Sequence, residues 1–105
     1  DLVKEETFGP IAPIIRFGSI EECIEIVEST RFKLAGAICT KSIEIAKRYS
    51  NQISVGQFSW NGPPGYRTEN APFGGFSDSG NGSKEGIVDS IKGLMKIRTF
   101  WRHNK

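Results

Sequence analysis

The sequence predicts an α/β fold, a mostly parallel sheet with flanking helices. Two observations carry this. Short apolar segments alternate with segments of helical periodicity, in the order strand, helix, strand, helix, strand, long loop, helix, strand. Alternation of this kind gives parallel strands joined by right-handed crossovers. The central segment 34–40, LAGAICT, is apolar on both faces, as a strand covered by helices on both sides is expected to be.

Each element has its own signal. Segment 11–17, IAPIIRF, reads as a short apolar strand with a proline at its margin. Ser19, with Glu22 three residues later, is a capping box that starts a helix. Ile20, Cys23, Ile24 and Val27 form the buried face of that helix at i, i+3, i+4 and i+7, and it fades near Thr30. A second helix spans 42–52, with Ala46, Tyr49 and Ile53 inward and Lys41, Lys47 and Arg48 outward. Segment 55–60, VGQFSW, is a third strand one turn after the helix ends.

Segment 61–82 changes character, with six of the 12 glycines and three of the five prolines. A loop of about 20 residues inside a compact domain is either functional or disordered. Tyr66, Phe73 and Phe76 argue against simple disorder. The loop leaves the carboxyl end of a strand, where active-site elements gather in such folds. A third helix follows over 83–92, with Ile87, Val88 and Ile91 inward and Gly93 as its stop. The last strand is 94–101, LMKIRTFW, with a basic tail.

The 105 residues hold 14 Lys plus Arg against 12 Asp plus Glu, for a net charge of +2. One globular unit is the default at this length. The balance is too weak for a charge-driven nucleic-acid binder. No apolar run approaches the roughly 18 residues of a membrane span, and no signal peptide opens the chain, so a cytoplasmic protein is expected. Two cysteines at unrelated sites make no disulfide scaffold. The chain opens Asp1-Leu2-Val3-Lys4 and its one methionine is Met95, from which processing, trimming or excision from a longer chain is expected.

Most familiar catalytic arrangements fail. The lone His103 sits near the end of the tail, so no histidine triad or metal site is expected. Cys23, on a helix face, and Cys39, in an apolar strand, read as buried, inert thiols. Gly80-Asn81-Gly82-Ser83-Lys84-Glu85-Gly86 lacks both the preceding strand and the third-glycine spacing of a dinucleotide fingerprint, and reads as a tight turn feeding a helix. Phe100 and Trp101 among Lys96, Arg98 and Arg102 read as an amphipathic strand rather than a base-stacking platform.

Two stretches resist such readings. Glu5-Glu6-Thr7-Phe8-Gly9-Pro10 sets carboxylates and an aromatic before a turn. A carboxylate accepts hydrogen bonds from both hydroxyls of a ribose, and a phenyl ring flanks a flat heterocycle; a solvated acidic turn is the plainer alternative. In Asn70-Ala71-Pro72-Phe73-Gly74-Gly75-Phe76, followed by Ser79-Gly80, the paired glycines admit a close backbone approach and the phenyl rings can wall an apolar pocket. The alternative is a loop packing on its own aromatics.

Together these stretches resemble the aldehyde dehydrogenase superfamily at its C-terminal end. Residues 5–10 resemble its E-x-F-G-P motif, and Pro72-Phe73-Gly74-Gly75 with Ser79-Gly80 its late P-F-G-G…S-G motif. Thr30-Arg31-Phe32-Lys33-Leu34-Ala35-Gly36 is similar to a third family stretch in which Tyr-Gly stands where Phe32-Lys33 stand here. Asn61 fits the asparagine that ends the family's next strand. The resemblance covers nearly the whole chain, with the motifs in order.

The resemblance implies a division at 1–93, the C-terminal part of a catalytic domain, and 94–105, an oligomerisation strand and tail. It implies that Glu6 binds the ribose next to nicotinamide, that Phe8 packs near that ring, and that Phe73 walls the aldehyde pocket. NAD or NADP is the implied cofactor, an aldehyde the substrate and a homo-oligomer the assembly, with no nucleic acid, membrane or metal. Arg67, in a Pro64-Gly65-Tyr66-Arg67 loop like those of members acting on short hydroxylated or anionic aldehydes such as lactaldehyde or glyceraldehyde, either clamps such a group or pairs with Glu69. The family mechanism is thiohemiacetal formation, hydride transfer and thioester hydrolysis. Its nucleophilic cysteine, in Gly-Gln-x-Cys, its general-base glutamate and its Rossmann-like domain lie upstream of the first motif, so no catalytic residue is expected in this segment and the chain alone is expected to be inactive. The other reading is a stand-alone, non-catalytic interaction or assembly module derived from the same fold.

Overall fold

The computed structural model describes residues 3–104. Asp1, Leu2 and Lys105, and with them the outer limits of the two-part division, lie outside the described residues.

The first helix, α1 (Ile20–Glu28), starts where the capping pattern puts it. Ser19 Oγ accepts the Glu22 N–H at 3.2 Å. The Glu22 carboxylate answers one residue earlier than in the standard box, accepting the Gly18 N–H at 2.6 Å. Two short strands follow, β1 (Phe32–Lys33) and β2 (Ala35–Ile38). Ser42 Oγ accepts the Ile45 N–H at 3.2 Å and opens α2 (Ile43–Gln52), which leads into β3 (Gln57–Trp60).

β2 and β3 are parallel, with Ala35 opposite Gln57 and Ile38 opposite Trp60. This is the crossover unit the alternation predicts. The rest of the pairing is not parallel. The long glycine-rich segment carries β4 (Phe73–Ser77), and β5 (Gly82–Glu85) stands where the sequence predicts the start of the third helix. β1, β4 and β5 form an antiparallel sheet in the order β1–β4–β5. The mostly parallel sheet is therefore corrected to one parallel pair beside one antiparallel three-stranded sheet. The cause is the tight reversal after β4, with Ser77 at φ 51° and Gly80 at φ 145°: a turn of that length joins only antiparallel neighbours.

Helix α3 (Ile87–Leu94) starts late, after Gly86 at φ 98°, and runs through Gly93 rather than stopping there. Segments 11–17 and 94–101, expected as strands, form no strand among the described residues, and Leu94 instead ends α3. Their apolar composition suits a strand, but a strand exists only with a ladder partner, and the described residues offer none.

The apolar core is small. Ala46 and Tyr49 on α2 and Ile53 at its C-cap are its buried hydrophobic residues, the three that the helical spacing selects. The Tyr49 and Phe58 rings lie 5.9 Å apart at 50°. Ile20, Cys23, Ile24 and Val27 on α1 are half-buried. Ile87, Val88 and Ile91 on α3 are exposed, contrary to expectation, because no element among the described residues covers that face.

A buried ion pair joins the elements. Lys33 is 5% exposed. Its Nζ lies 3.1 Å from Glu28 Oε1 and donates to the carbonyls of Val27 at 3.3 Å and Glu28 at 3.2 Å. All three ammonium donors are thus used at the C-terminal end of α1, where the helix dipole favours a cation. Glu28 Oε1 also accepts the Ser54 N–H at 2.7 Å, tying in the α2–β3 connection.

The chain exposes 8928 Å². A folded monomer of this size exposes about 5,800 Å². Its radius of gyration is 18.5 Å, against about 13 Å for a compact domain of the same length. Segments 3–18 and 95–104 carry Phe8, Ile14, Ile97, Phe100 and Trp101 in the open.

Candidate functional site

Asn61 ends β3 and aims the chain into the loop. It sits in the left-handed region at φ 54°, which asparagine tolerates better than most residues. Its side-chain amide pairs with the Thr40 backbone in both directions, Oδ1 accepting the N–H at 2.9 Å and Nδ2 donating to the carbonyl at 2.9 Å. Trp60 Nε1 donates to the same carbonyl at 3.0 Å. Farther along, Gln57 Nε2 donates to the Tyr66 carbonyl, and Ala71 N–H bonds the Thr68 carbonyl at 3.1 Å. The loop returns as β4.

The paired glycines of β4 have a steric cause. A Cβ on Gly74 would stand 1.9 Å from the Gly82 carbonyl oxygen, and one on Gly56 would stand 1.7 Å from that of Gly74. A Cβ on Gly75 would meet Ser79 Cβ at 2.7 Å. The backbones entering β3, within β4 and opening β5 are therefore stacked with no room for a side chain. The close approach expected of these glycines is to the chain itself. Ser79 closes the turn by accepting the Lys33 N–H on its Oγ at 2.9 Å. The glycine-rich stretch 80–86 turns as expected, but it follows strand β4 and feeds strand β5 rather than a helix, which starts only after Gly86.

This packing presents Phe73 beside Arg67. The guanidinium carbon of Arg67 lies 4.3 Å from the centre of the Phe73 ring. Its Nη1 is 2.7 Å from Glu85 Oε2. The expected alternative partner, Glu69, is replaced by Glu85 because β5 brings the latter alongside; the Glu69 backbone carbonyl instead accepts the Ile87 N–H at 3.3 Å. Arg67, Thr68, Glu69, Phe73, Glu85 and Gly86 are among the residues that line an open cleft of about 330 Å³. Arg67 and Phe73 are thus brought together. Glu85 is the cleft residue that the sequence does not single out, because its periodicity puts it on a helix.

Glu6 and Phe8 do not line this cleft. They stand on the segment before Gly9, both exposed, with Phe8 at 95%. The ion pair in this segment goes through the neighbouring Glu5, whose Oε2 lies 3.1 Å from Arg31 Nη2. Among the described residues Glu6 has no ion-pair partner, so its carboxylate keeps all its acceptor positions for a diol. An open carboxylate thus stands two residues from an open phenyl ring.

Cys23 is half-buried, and that burial pushes its thiol pKa up, away from reactivity. Cys39 is exposed, not buried as expected, because β2 ends one residue before it. Among the described residues no group of three His, Cys, Asp or Glu is placed to hold a metal ion, and no helix is long and apolar enough to cross a membrane.

Residues 1–100 match the aldehyde dehydrogenase family. The chain is 36% identical over 103 residues to a lactaldehyde dehydrogenase of Methanococcus vannielii, covering 98% of this chain and 22% of that protein. It is 39% identical over 95 residues to an NADP-dependent glyceraldehyde-3-phosphate dehydrogenase of Nicotiana plumbaginifolia, covering 90% of this chain and 19% of the relative. Among solved structures, a betaine aldehyde dehydrogenase from Staphylococcus aureus in complex with NAD+ superposes with a TM-score of 0.77 at 30% identity, over 85% of this chain and 18% of that one. The chain spans about a fifth of the length of these relatives.

Proposed function

The chain belongs to the aldehyde dehydrogenase family, and on that premise we propose that it is the C-terminal part of an NAD(P)-dependent enzyme that oxidises an aldehyde to a carboxylic acid. One observation carries the reading. Glu6, Phe8 and Arg67 are exposed, and Phe73 is half-buried beneath Arg67 at an open cleft, on a chain that exposes 8928 Å²; this supports surfaces that further protein completes.

In this reading Glu6 accepts the two hydroxyls of the ribose beside nicotinamide, and Phe8 packs by the ring and fixes its angle. The bound NAD or NADP supplies a hydride acceptor. Phe73 walls the aldehyde pocket. Arg67, held over Phe73 and by Glu85, keeps further N–H donors for a hydroxyl, carboxylate, sulfonate or phosphate on the substrate. That supports a short hydroxylated or anionic aldehyde, of the kind named in the lactaldehyde and glyceraldehyde-3-phosphate relatives. Segment 96–101 pairs with a neighbouring subunit as an oligomerisation strand, covering its open edge, and the enzyme works in the cytoplasm.

The 105 residues alone carry no Gly-Gln-x-Cys nucleophile, so mixing the purified chain with aldehyde and NAD(P) is expected to form no reduced cofactor above blank. Enzyme-like turnover by the chain overturns the division of labour proposed here. The coding sequence ahead of Asp1 separates the readings: a frame carrying Gly-Gln-x-Cys supports the enzyme, and a stop there supports a non-catalytic assembly module.

A further inference from the structure

Arg31 links segment 4–10 to the far end of the strand that begins at Phe73. Its backbone carbonyl accepts the Asp78 N–H at 3.2 Å, and its Nε lies 3.3 Å from Asp78 Oδ2. Two residues on, the Lys33 N–H bonds Ser79 Oγ. Backbone and side chain together therefore fasten Arg31 to the turn that closes β4, the strand that begins at Phe73. The other end of the guanidinium reaches outward, with Nη2 3.1 Å from Glu5 Oε2. A guanidinium has five N–H donors in a fixed fork, so one side chain can hold both carboxylates at a set distance. The guanidinium lies over the Phe32 ring, with Cζ 5.2 Å from its centre, which limits its swing.

Among the described residues this is the polar side-chain tie between segment 4–10 and the folded body. The segment's other hydrogen bond, Ile11 N–H to the Gly9 carbonyl at 2.8 Å, is internal. Glu6 follows Glu5 directly and Phe8 stands two residues beyond Glu6, so a tie at Glu5 restricts where both side chains can lie.

We infer that Arg31 is a positioning residue for the cofactor: by holding Glu5 against the β4 turn it orients Glu6 and Phe8, and it sets the nicotinamide-ribose subsite in register with Phe73. This rests on the function proposed above. Arg31 touches neither cofactor nor aldehyde. It acts through Glu5, and Asp78 acts through Arg31.

The test uses the active dehydrogenase that contains this chain. Glu5→Gln removes the outer contact at an exposed position and leaves the Arg31–Asp78 contacts in place, so folding is preserved even if Arg31→Ala is poorly tolerated. Glu5→Gln is expected to raise the KM for NAD(P) about two- to fivefold, the range of an exposed ion pair, with the aldehyde KM and kcat nearly unchanged. Arg31→Ala raises the cofactor KM at least as much, and the double variant is no worse than Arg31→Ala alone. Raising the salt concentration lifts the wild-type cofactor KM toward that of the variants, and leaves theirs flat. Unchanged cofactor KM in Glu5→Gln, or additive effects in the double variant, overturns the inference. Glu6→Gln serves as the separate control: if it alters cofactor kinetics while Glu5→Gln does not, the positioning role fails and the ribose role stands. If Glu6→Gln itself changes nothing, the ribose assignment fails.

Discussion

The guanidinium carbon of Arg67 lies 4.3 Å from the centre of the Phe73 ring while its Nη1 sits 2.7 Å from Glu85. The stacking and the ion pair fix the plane of the fork and leave donors facing the cleft. Arg67→Ala in the active enzyme is expected to lower kcat/KM for hydroxylated or anionic aldehydes about 10- to 100-fold, the worth of a charge-assisted hydrogen bond, and much less for plain aliphatic aldehydes. Equal losses on both classes return Arg67 to a purely structural partner of Glu85.

Glycine substitutions separate crowded from open positions. Gly74→Ala puts a methyl group 1.9 Å from the Gly82 carbonyl oxygen, so β4 and β5 must part. A loss of about 3 kcal/mol or more in urea unfolding is expected. A Cβ added at Gly93, near the end of α3, meets nothing within 4 Å, and Gly93→Ala is expected to stabilise by about 0.5–1 kcal/mol through helix propensity.

The Lys33–Glu28 pair makes stability depend on acid pH. Partial burial works to raise the Glu28 carboxyl, but the Ser54 N–H and the Lys33 ammonium outweigh it and hold the pKa below the ordinary 4.5. A depressed carboxylate contributes stability that is full above its unfolded value and is lost as pH falls through the folded one. The pair's contribution is therefore present at neutral pH and fades below about pH 4.5. Glu28→Gln is expected to cost about 1–3 kcal/mol at neutral pH, since Lys33 stays buried without its counter-charge, and to flatten that acid limb. Equilibrium unfolding between pH 3 and pH 7 (roughly the span over which such a carboxylate titrates) reads both effects.

Asn61 carries two tasks at one position. Asn61→Ala loses both bonds to Thr40 and leaves alanine in the left-handed region, for an expected cost of about 2–4 kcal/mol. Asn61→Gly loses the bonds but not the backbone freedom, and is expected to retain about 1 kcal/mol more stability than Asn61→Ala. Equal costs for the two variants separate the backbone conformation from the role given to it.

The parts of the fold set by local rules were legible in the sequence. Ser19 and Ser42 cap the two helices they precede, and Ala46, Tyr49 and Ile53 form the core that their spacing marks. β4 was not legible because FGGFS has little strand propensity. Its glycines answer to backbones at Gly56 and Gly82, far off in sequence. The same long-range pairing replaced Glu69 by Glu85 as the partner of Arg67. Segments 11–17 and 94–101 read as strands because their residues suit a sheet, but a ladder is a property of two segments. The motif residues Glu6, Phe8, Arg67 and Phe73 were found as residue types in order. Only the structure places Arg67 over Phe73 and leaves Glu6 and Phe8 apart from that cleft.

In the proposed enzyme Glu6 supplies the contact to the nicotinamide ribose. The deciding measurement is the steady-state rate of reduced-cofactor formation in the active enzyme carrying Glu6→Gln, as a function of NAD(P) concentration, with folding checked by circular dichroism. A raised cofactor KM or slowed hydride transfer, with folding intact, is the expected result. Wild-type kinetics in that variant would contradict that role.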